Sequence, residues 1–166
     1  MKKSLYALAM SLFLFSCGKA QKTTFSTEAL SSPLGTTAGN TQTFQEILEA
    51  HKGKVTLVEV WASWCSDCVK AMPKLKDIQA EFPQVNYVFL SADKTPEKWA
   101  EGIAKHQLQG DHYLIPDGMK GSFGKSIDLD WIPRYIILDA NGKIITYRAI
   151  ETDFETIKKT LKSLNQ

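Results

Sequence analysis

Three cysteines in 166 residues are too few for a disulfide scaffold. The three histidines, His51, His106 and His112, are scattered, and no second Cys-x-x-Cys follows Cys65 and Cys68. The chain therefore lacks the set of about four ligands that a zinc site needs. An excess of one charge is also missing. A net charge of +2 gives no broad basic field, so nucleic acid is not an expected partner. No internal repeat is visible. What is present is ample apolar material, 43% hydrophobic against 23% charged, which excludes a disordered chain. One domain is the expectation at this length. A chain of this size buries roughly 70% of its unfolded surface and needs no covalent staples, which leaves its cysteines available for chemistry.

The N-terminal segment reads as an address. Lys2 and Lys3 precede an apolar run from Leu5 to Phe15, broken only by Ser11. Its 11 residues suit the apolar part of an export signal and fall short of the ~20 that span a bilayer. The run stops at Ser16-Cys17-Gly18. A small residue, Cys and Gly in that order resemble the lipobox of bacterial lipoproteins, although Phe15 departs from the residue usual there. The resemblance implies cleavage before Cys17, acylation of Cys17 and a stable lipid anchor. Gly18, with no acidic residue nearby, implies the outer membrane, facing the periplasm. The plainer alternative is a secretory signal with an incidental Cys. Loss of residues 1–16 removes Lys2 and Lys3, so the formal charge falls from +2 to zero. Residues 17–40, rich in Ser, Thr, Gly and Ala, are expected to be a flexible tether, with room for a short edge strand. Residues 41–166 are the expected domain.

That domain reads as alternating α and β. Gln42–His51 has helical spacing and ends near Gly53. Val55–Trp61 is an apolar, β-branched run suited to a strand buried on both faces. Cys65–Glu81 has helical composition and is expected to break or kink at Pro73. Val85–Ser91 predicts a strand, Asp93–Gln107 a helix, His112–Ile115 a short strand and Met119–Lys125 a short helix. Arg134–Leu138 and Lys143–Tyr147 are strands joined by a turn containing Asn141-Gly142, a strong hairpin signal. Asp153–Leu164 closes the chain with Phe154, Ile157, Leu161 and Leu164 on one face. The order implies a mixed sheet with helices on its faces.

The chemistry centres on Cys65 and Cys68. They follow the central strand and open a helix. A sulfur in the first helical turn meets free backbone N–H groups and the positive end of the helix dipole, and both favour thiolate. Cys65 is the candidate nucleophile and Cys68, one turn deeper, the resolving thiol.

Trp61-Ala62-Ser63-Trp64-Cys65-Ser66-Asp67-Cys68, with Pro73 five residues beyond, resembles the active-site segment of the thioredoxin superfamily. The longer segment between Leu90 and Trp131, and Ile132-Pro133-Arg134 through Lys143, resemble the TlpA-like membrane-tethered disulfide reductases. The resemblance implies a thioredoxin-like α/β fold with a TlpA-type insertion and no cofactor or metal. It implies that Pro133 is the cis-proline beside the Cys pair and that the backbone of Ile132 pairs with an extended substrate. A plain strand-start proline is the alternative for Pro133. Glu59, inside the apolar strand, matches the family's buried acid, which exchanges a proton with the resolving thiol. A buried carboxylate has its pKa raised and can take the Cys68 proton. The alternative has Glu59 near the strand end, reaching water. Trp61 and Trp64 match the aromatics flanking the site, Trp64 as a substrate contact; core and surface cover are their plainer roles. The spacer Ser66-Asp67 tunes the redox couple. Asp67 disfavours the Cys65 thiolate, which makes the couple more reducing, unless it is simply solvated.

These readings converge on an exported, membrane-anchored thiol-disulfide oxidoreductase. Its implied partners are disulfide-containing exported proteins and a membrane electron donor. Two alternatives share the fold. A peroxide-reducing enzyme would place its reactive Cys in a Thr/Ser-x-x-Cys context, whereas in Ala62-Ser63-Trp64-Cys65 the residue three before the Cys is Ala62. A metallochaperone or binding module would use the same two thiols.

Overall fold

The computed structural model describes residues 21–165. The expected signal over residues 1–16 and the lipidation site Cys17 lie outside the described residues. The described chain begins with α1 (Thr27–Ser31), β1 (Pro33–Thr36), β2 (Thr41–Thr43), α2 (Phe44–Ala50), β3 (Thr56–Trp61), α3 (Ser66–Glu81) and β4 (Asn86–Ser91). It continues with α4 (Pro96–His106), β5 (Asp111–Leu114), α5 (Ser122–Ser126), β6 (Arg134–Leu138), β7 (Ile144–Ala149) and α6 (Phe154–Leu164).

One seven-stranded sheet has the order β2-β1-β5-β4-β3-β6-β7. Strands β3, β4 and β5 run parallel, and the outer strands pair antiparallel. The mixed sheet follows from the two kinds of connection. Helices α3 and α4 carry the chain across from β3 to β4 and from β4 to β5, which parallel strands require. A tight hairpin joins β6 to β7. In its turn the Asp139 carboxylate accepts from the N–H groups of Asn141 and Lys143. Gly142 takes φ +82°, a conformation that an L side chain strains to reach. Strand β3 lies between β4 and β6, and all six of its residues are buried, as its two-face apolar pattern requires. On the sheet's flanks, Phe44 and Ile47 of α2, Leu75 and Ile78 of α3, and Ile157 and Leu161 of α6 complete the core. Burial of each such side chain is worth about 1.5–3 kcal/mol.

Two expectations are corrected. The tether expected over residues 17–40 is folded from about residue 23. Ser26 caps α1, Ala29 and Leu34 are fully buried, and β1 inserts between β2 and β5. Phe25 stacks edge-on against Phe44, with ring centroids 4.9 Å apart. The Ser, Thr and Gly residues that read as linker composition are here caps and turns, which use the same residue types. The break expected at Pro73 is also absent, because α3 runs unbroken from Ser66 to Glu81 with Pro73 inside it. Packing of Ala71, Met72, Leu75 and Ile78 into the core carries the helix across the missing N–H.

Candidate active site

The C-terminal end of β3 delivers residues 62–65 to the rim of the sheet, and this short turn is tied down from beneath. Asp93, just beyond β4, is buried, and its carboxylate accepts from the Ser63 N–H at 3.0 Å and the Ser63 hydroxyl at 2.7 Å. The Ser91 hydroxyl donates at 2.7 Å to Oδ2, the oxygen that also accepts the Ser63 N–H. Helix α4 closes over the same turn. A side-chain carbon at Gly102 would come within 2.7 Å of Ser63 Cβ, so only glycine admits this approach.

Cys65 is the N-cap of α3, and its sulfur accepts the Cys68 N–H at 3.1 Å. The two cysteines form a disulfide with Cα atoms 5.3 Å apart. Their access differs: Cys65 is 7% exposed and Cys68 is 0% exposed, so an incoming sulfur can reach only Cys65. Ser66 opens α3, and half-buried Asp67 lies 3.5 Å from Lys70 Nζ. Opposite the disulfide, the Ile132–Pro133 peptide bond is cis, and the Ile132 carbonyl oxygen lies 3.6 Å from Cys65 Sγ.

Glu59 sits within β3 at 1% exposure, so it does not reach water. Its register partner is Tyr135 of β6, whose hydroxyl donates to Glu59 Oε1 at 3.2 Å. Glu59 Oε2 has no hydrogen-bond partner. Loss of hydration pushes the Glu59 carboxyl up to about 8, against the smaller opposing effect of the Tyr135 hydrogen bond. Tyr135 is itself pushed up, first by burial and then by the neighbouring Glu59. Directly paired residues share a sheet face. The Tyr135 ring meets Phe154 of α6 at 5.3 Å, and Lys74 of α3 lies over that same Phe154 ring. Glu59 therefore faces the layer formed by α6 and α3, the helix that carries Cys68.

Beside the disulfide lies a groove of about 380 Å³, lined by Trp64, Cys65, Asp67, Met119, Trp131 and Ile132 among others. Sequence reading places Cys65, Cys68, Ser66, Asp67, Trp64, Ile132 and Pro133 in this neighbourhood, and the fold brings them together. Trp61 is buried beneath it. The histidines are dispersed: His106 meets the edge of Trp61, His112 stacks on Phe89, and His51 lies 3.5 Å from Asp111. Sequence reading missed Asp93, Tyr135 and Trp131. Trp131 had a signal, since it directly precedes the Ile-Pro pair. Asp93 and Tyr135 had none, because their partners are 30 and 76 residues away in the chain.

A sequence profile of the thioredoxin-like family matches residues 53–144. The thiol-disulfide oxidoreductase ResA of Bacillus thuringiensis is 24% identical over 119 residues, covering 70% of this chain and 67% of the relative. The thiol:disulfide interchange protein DsbE of Allochromatium vinosum is 34% identical over 100 residues, covering 55% of this chain and 49% of the relative. Among solved structures, a thiol-disulfide oxidoreductase from Bacteroides vulgatus is 31% identical with a TM-score of 0.66, covering 82% of this chain and 88% of that one. One from Bacteroides fragilis is 26% identical with a TM-score of 0.67, covering 80% and 96%. Together with the helix-capping Cys65 and its buried partner Cys68, these similarities place the chain in the thioredoxin-like family, as a thiol-disulfide oxidoreductase of the ResA and DsbE type.

Proposed function

We propose that this enzyme is exported, anchored by lipid at Cys17, and works as a reductase of disulfides in extracytoplasmic proteins. The observation that carries the reading is the contrast within the Cys pair. One sulfur is at the rim and accepts an N–H at the helix start, and the other is buried on the helix facing a carboxyl of raised pKa. In the reduced enzyme the Cys65 thiolate attacks one substrate sulfur, forming a mixed disulfide and releasing the first substrate thiolate. Cys68 then loses its proton and attacks Cys65 Sγ. The second substrate thiolate leaves, and the Cys65–Cys68 disulfide forms. Two electrons pass to the substrate. Glu59 takes the Cys68 proton, so the oxidised state holds a protonated Glu59 below about pH 8. A membrane electron donor restores the dithiol, and Glu59 then returns its proton to the departing Cys68 thiolate. Ile132, ahead of Pro133, offers its backbone to an extended substrate segment, as in strand addition.

The reducing direction rests on Asp67, whose charge beside the pair opposes the Cys65 thiolate and is only partly offset by Lys70. Redox-buffer titration of the Cys65–Cys68 couple tests it. A midpoint near the ~−270 mV of thioredoxin supports a reductase, whereas one near ~−120 mV makes the enzyme a disulfide donor. Mass spectrometry tests the anchor, with an acylated N-terminal Cys17 expected and an unmodified N-terminus overturning it. The absence of an acidic residue after Gly18 favours the outer membrane, facing the periplasm.

A further inference from the structure

Two large hydrophobic side chains are exposed among the described residues, Trp64 at 60% and Trp131 at 48%. Both line the groove that contains Cys65. Exposed indoles at a reacting centre signal a partner that covers them, since indole offers a large rigid apolar face at low entropic cost.

Both are carried by segments held in place. Trp64 follows Ser63, which is clamped by Asp93. Trp131 lies between Ile132 and Asp130. Asp130 accepts from the guanidinium of buried Arg134 at 2.6 Å and from Arg148. Two arginines thus pair the Asp130 carboxylate, and Lys70 lies 3.5 Å from Asp67, the other carboxylate lining the groove, so an apolar group enters beside paired charges. Met119 supplies an adaptable apolar surface in the same groove. A groove of about 380 Å³ accommodates one large side chain and its backbone, not a folded domain.

We infer that Trp131, with Trp64, forms a two-walled subsite that selects substrates with a large apolar or aromatic side chain two residues from the cysteine that Cys65 engages. The two-residue offset follows from extended geometry. A segment lying along Ile132 presents alternate side chains to the same side, ~7 Å apart. When its cysteine meets Cys65, the side chain two positions away enters between the indoles. This deepens the proposed substrate class and rests on exchange at Cys65, not on its direction.

The test uses two symmetric peptide disulfides, identical except for Phe or Ala at both positions two residues from the cysteine. The reduced mature chain acts on each, and the readout is the ratio of their kcat/KM values, which cancels effects on the Cys pair itself. The wild-type chain is expected to favour Phe by about tenfold, as one aromatic contact pair provides. Trp131→Ala lowers the ratio to about twofold, and Trp131→Phe keeps most of it. A wild-type ratio near one overturns the inference, as does a ratio untouched in Trp131→Ala. If the chain reduces neither peptide, the reductase reading fails. The same ratio is then read with the oxidised chain and the peptides as free thiols, where the same values support or overturn the subsite.

Discussion

Glu59 and Asp93 are both buried carboxylates, one within β3 and the other just past the end of the neighbouring β4. They differ in what reaches their oxygens. Asp93 receives a backbone N–H and two hydroxyls, and both oxygens are used. Glu59 receives one phenol hydroxyl, and its second oxygen has no partner. A carboxylate whose oxygens are all engaged by donors serves as a fastener. One starved of donors is more stable with a proton and can trade it. Burial alone therefore does not assign a role; the count of donors does. Here Asp93 holds the turn that presents Cys65, and Glu59, the proposed proton carrier, faces the helix of Cys68.

The sharpest test of this contrast is stability against pH. The folded Glu59 pKa of about 8 lies above its ordinary 4.5, so the native state binds the extra proton between these values. Stability from this group is complete below pH 4.5 and is lost as pH rises through about 8. Glu59→Gln removes the loss. Urea denaturation of the oxidised proteins is expected to show the variant more stable than wild type by about 4 kcal/mol at pH 9 and similar at pH 4. Parallel curves would place Glu59 with the fasteners. Asp93→Ala should act in the opposite direction, destabilising by about 3 kcal/mol because it strands the buried Ser91 hydroxyl and the two part-buried donors of Ser63. A change under about 0.5 kcal/mol would show that the Cys turn holds itself.

Kinetics sharpen the same contrast. Reduction of the Cys65–Cys68 disulfide by dithiothreitol needs a proton for the departing Cys68. The wild-type to Glu59→Gln rate ratio is expected to be about 100-fold at pH 6 and to fall towards one as pH rises through about 8. A ratio independent of pH removes Glu59 from the proton path. The smallest effect belongs to Tyr135→Phe, which deletes the single donor to Glu59. The Glu59 pKa should move further up from about 8, with a stability loss of about 1 kcal/mol at pH 9, where the hydrogen bond favours the anion. A downward move, read from the same pH–stability curves, would contradict the hydrogen-bond assignment.

Much of the domain was legible because its signals are local. The apolar runs of β3, β4 and β6, the Asn141-Gly142 turn and the amphipathic α6 each depend on neighbours a few residues apart. Cys65 and Cys68 were legible because their spacing and their place at a helix start are local too. The N-terminal segment misled because caps and turns share their residue types with linkers, and only its pairing with β5 distinguishes them. Pro73 does not end α3, because its local penalty is outweighed by core contacts from distant elements.

The sequence by itself determined the order of elements from α2 onward, the helix-capping cysteine and the presence of an acid inside an apolar strand. These follow from periodicity, propensity and the chemistry of residue types at fixed spacing. Only the tertiary structure decided which sulfur is reachable, which donors Glu59 and Asp93 receive, and that Trp131 stands with Trp64 beside the disulfide. Those properties depend on contacts between β3, β4, β6 and α3, which sequence distance hides and packing alone creates.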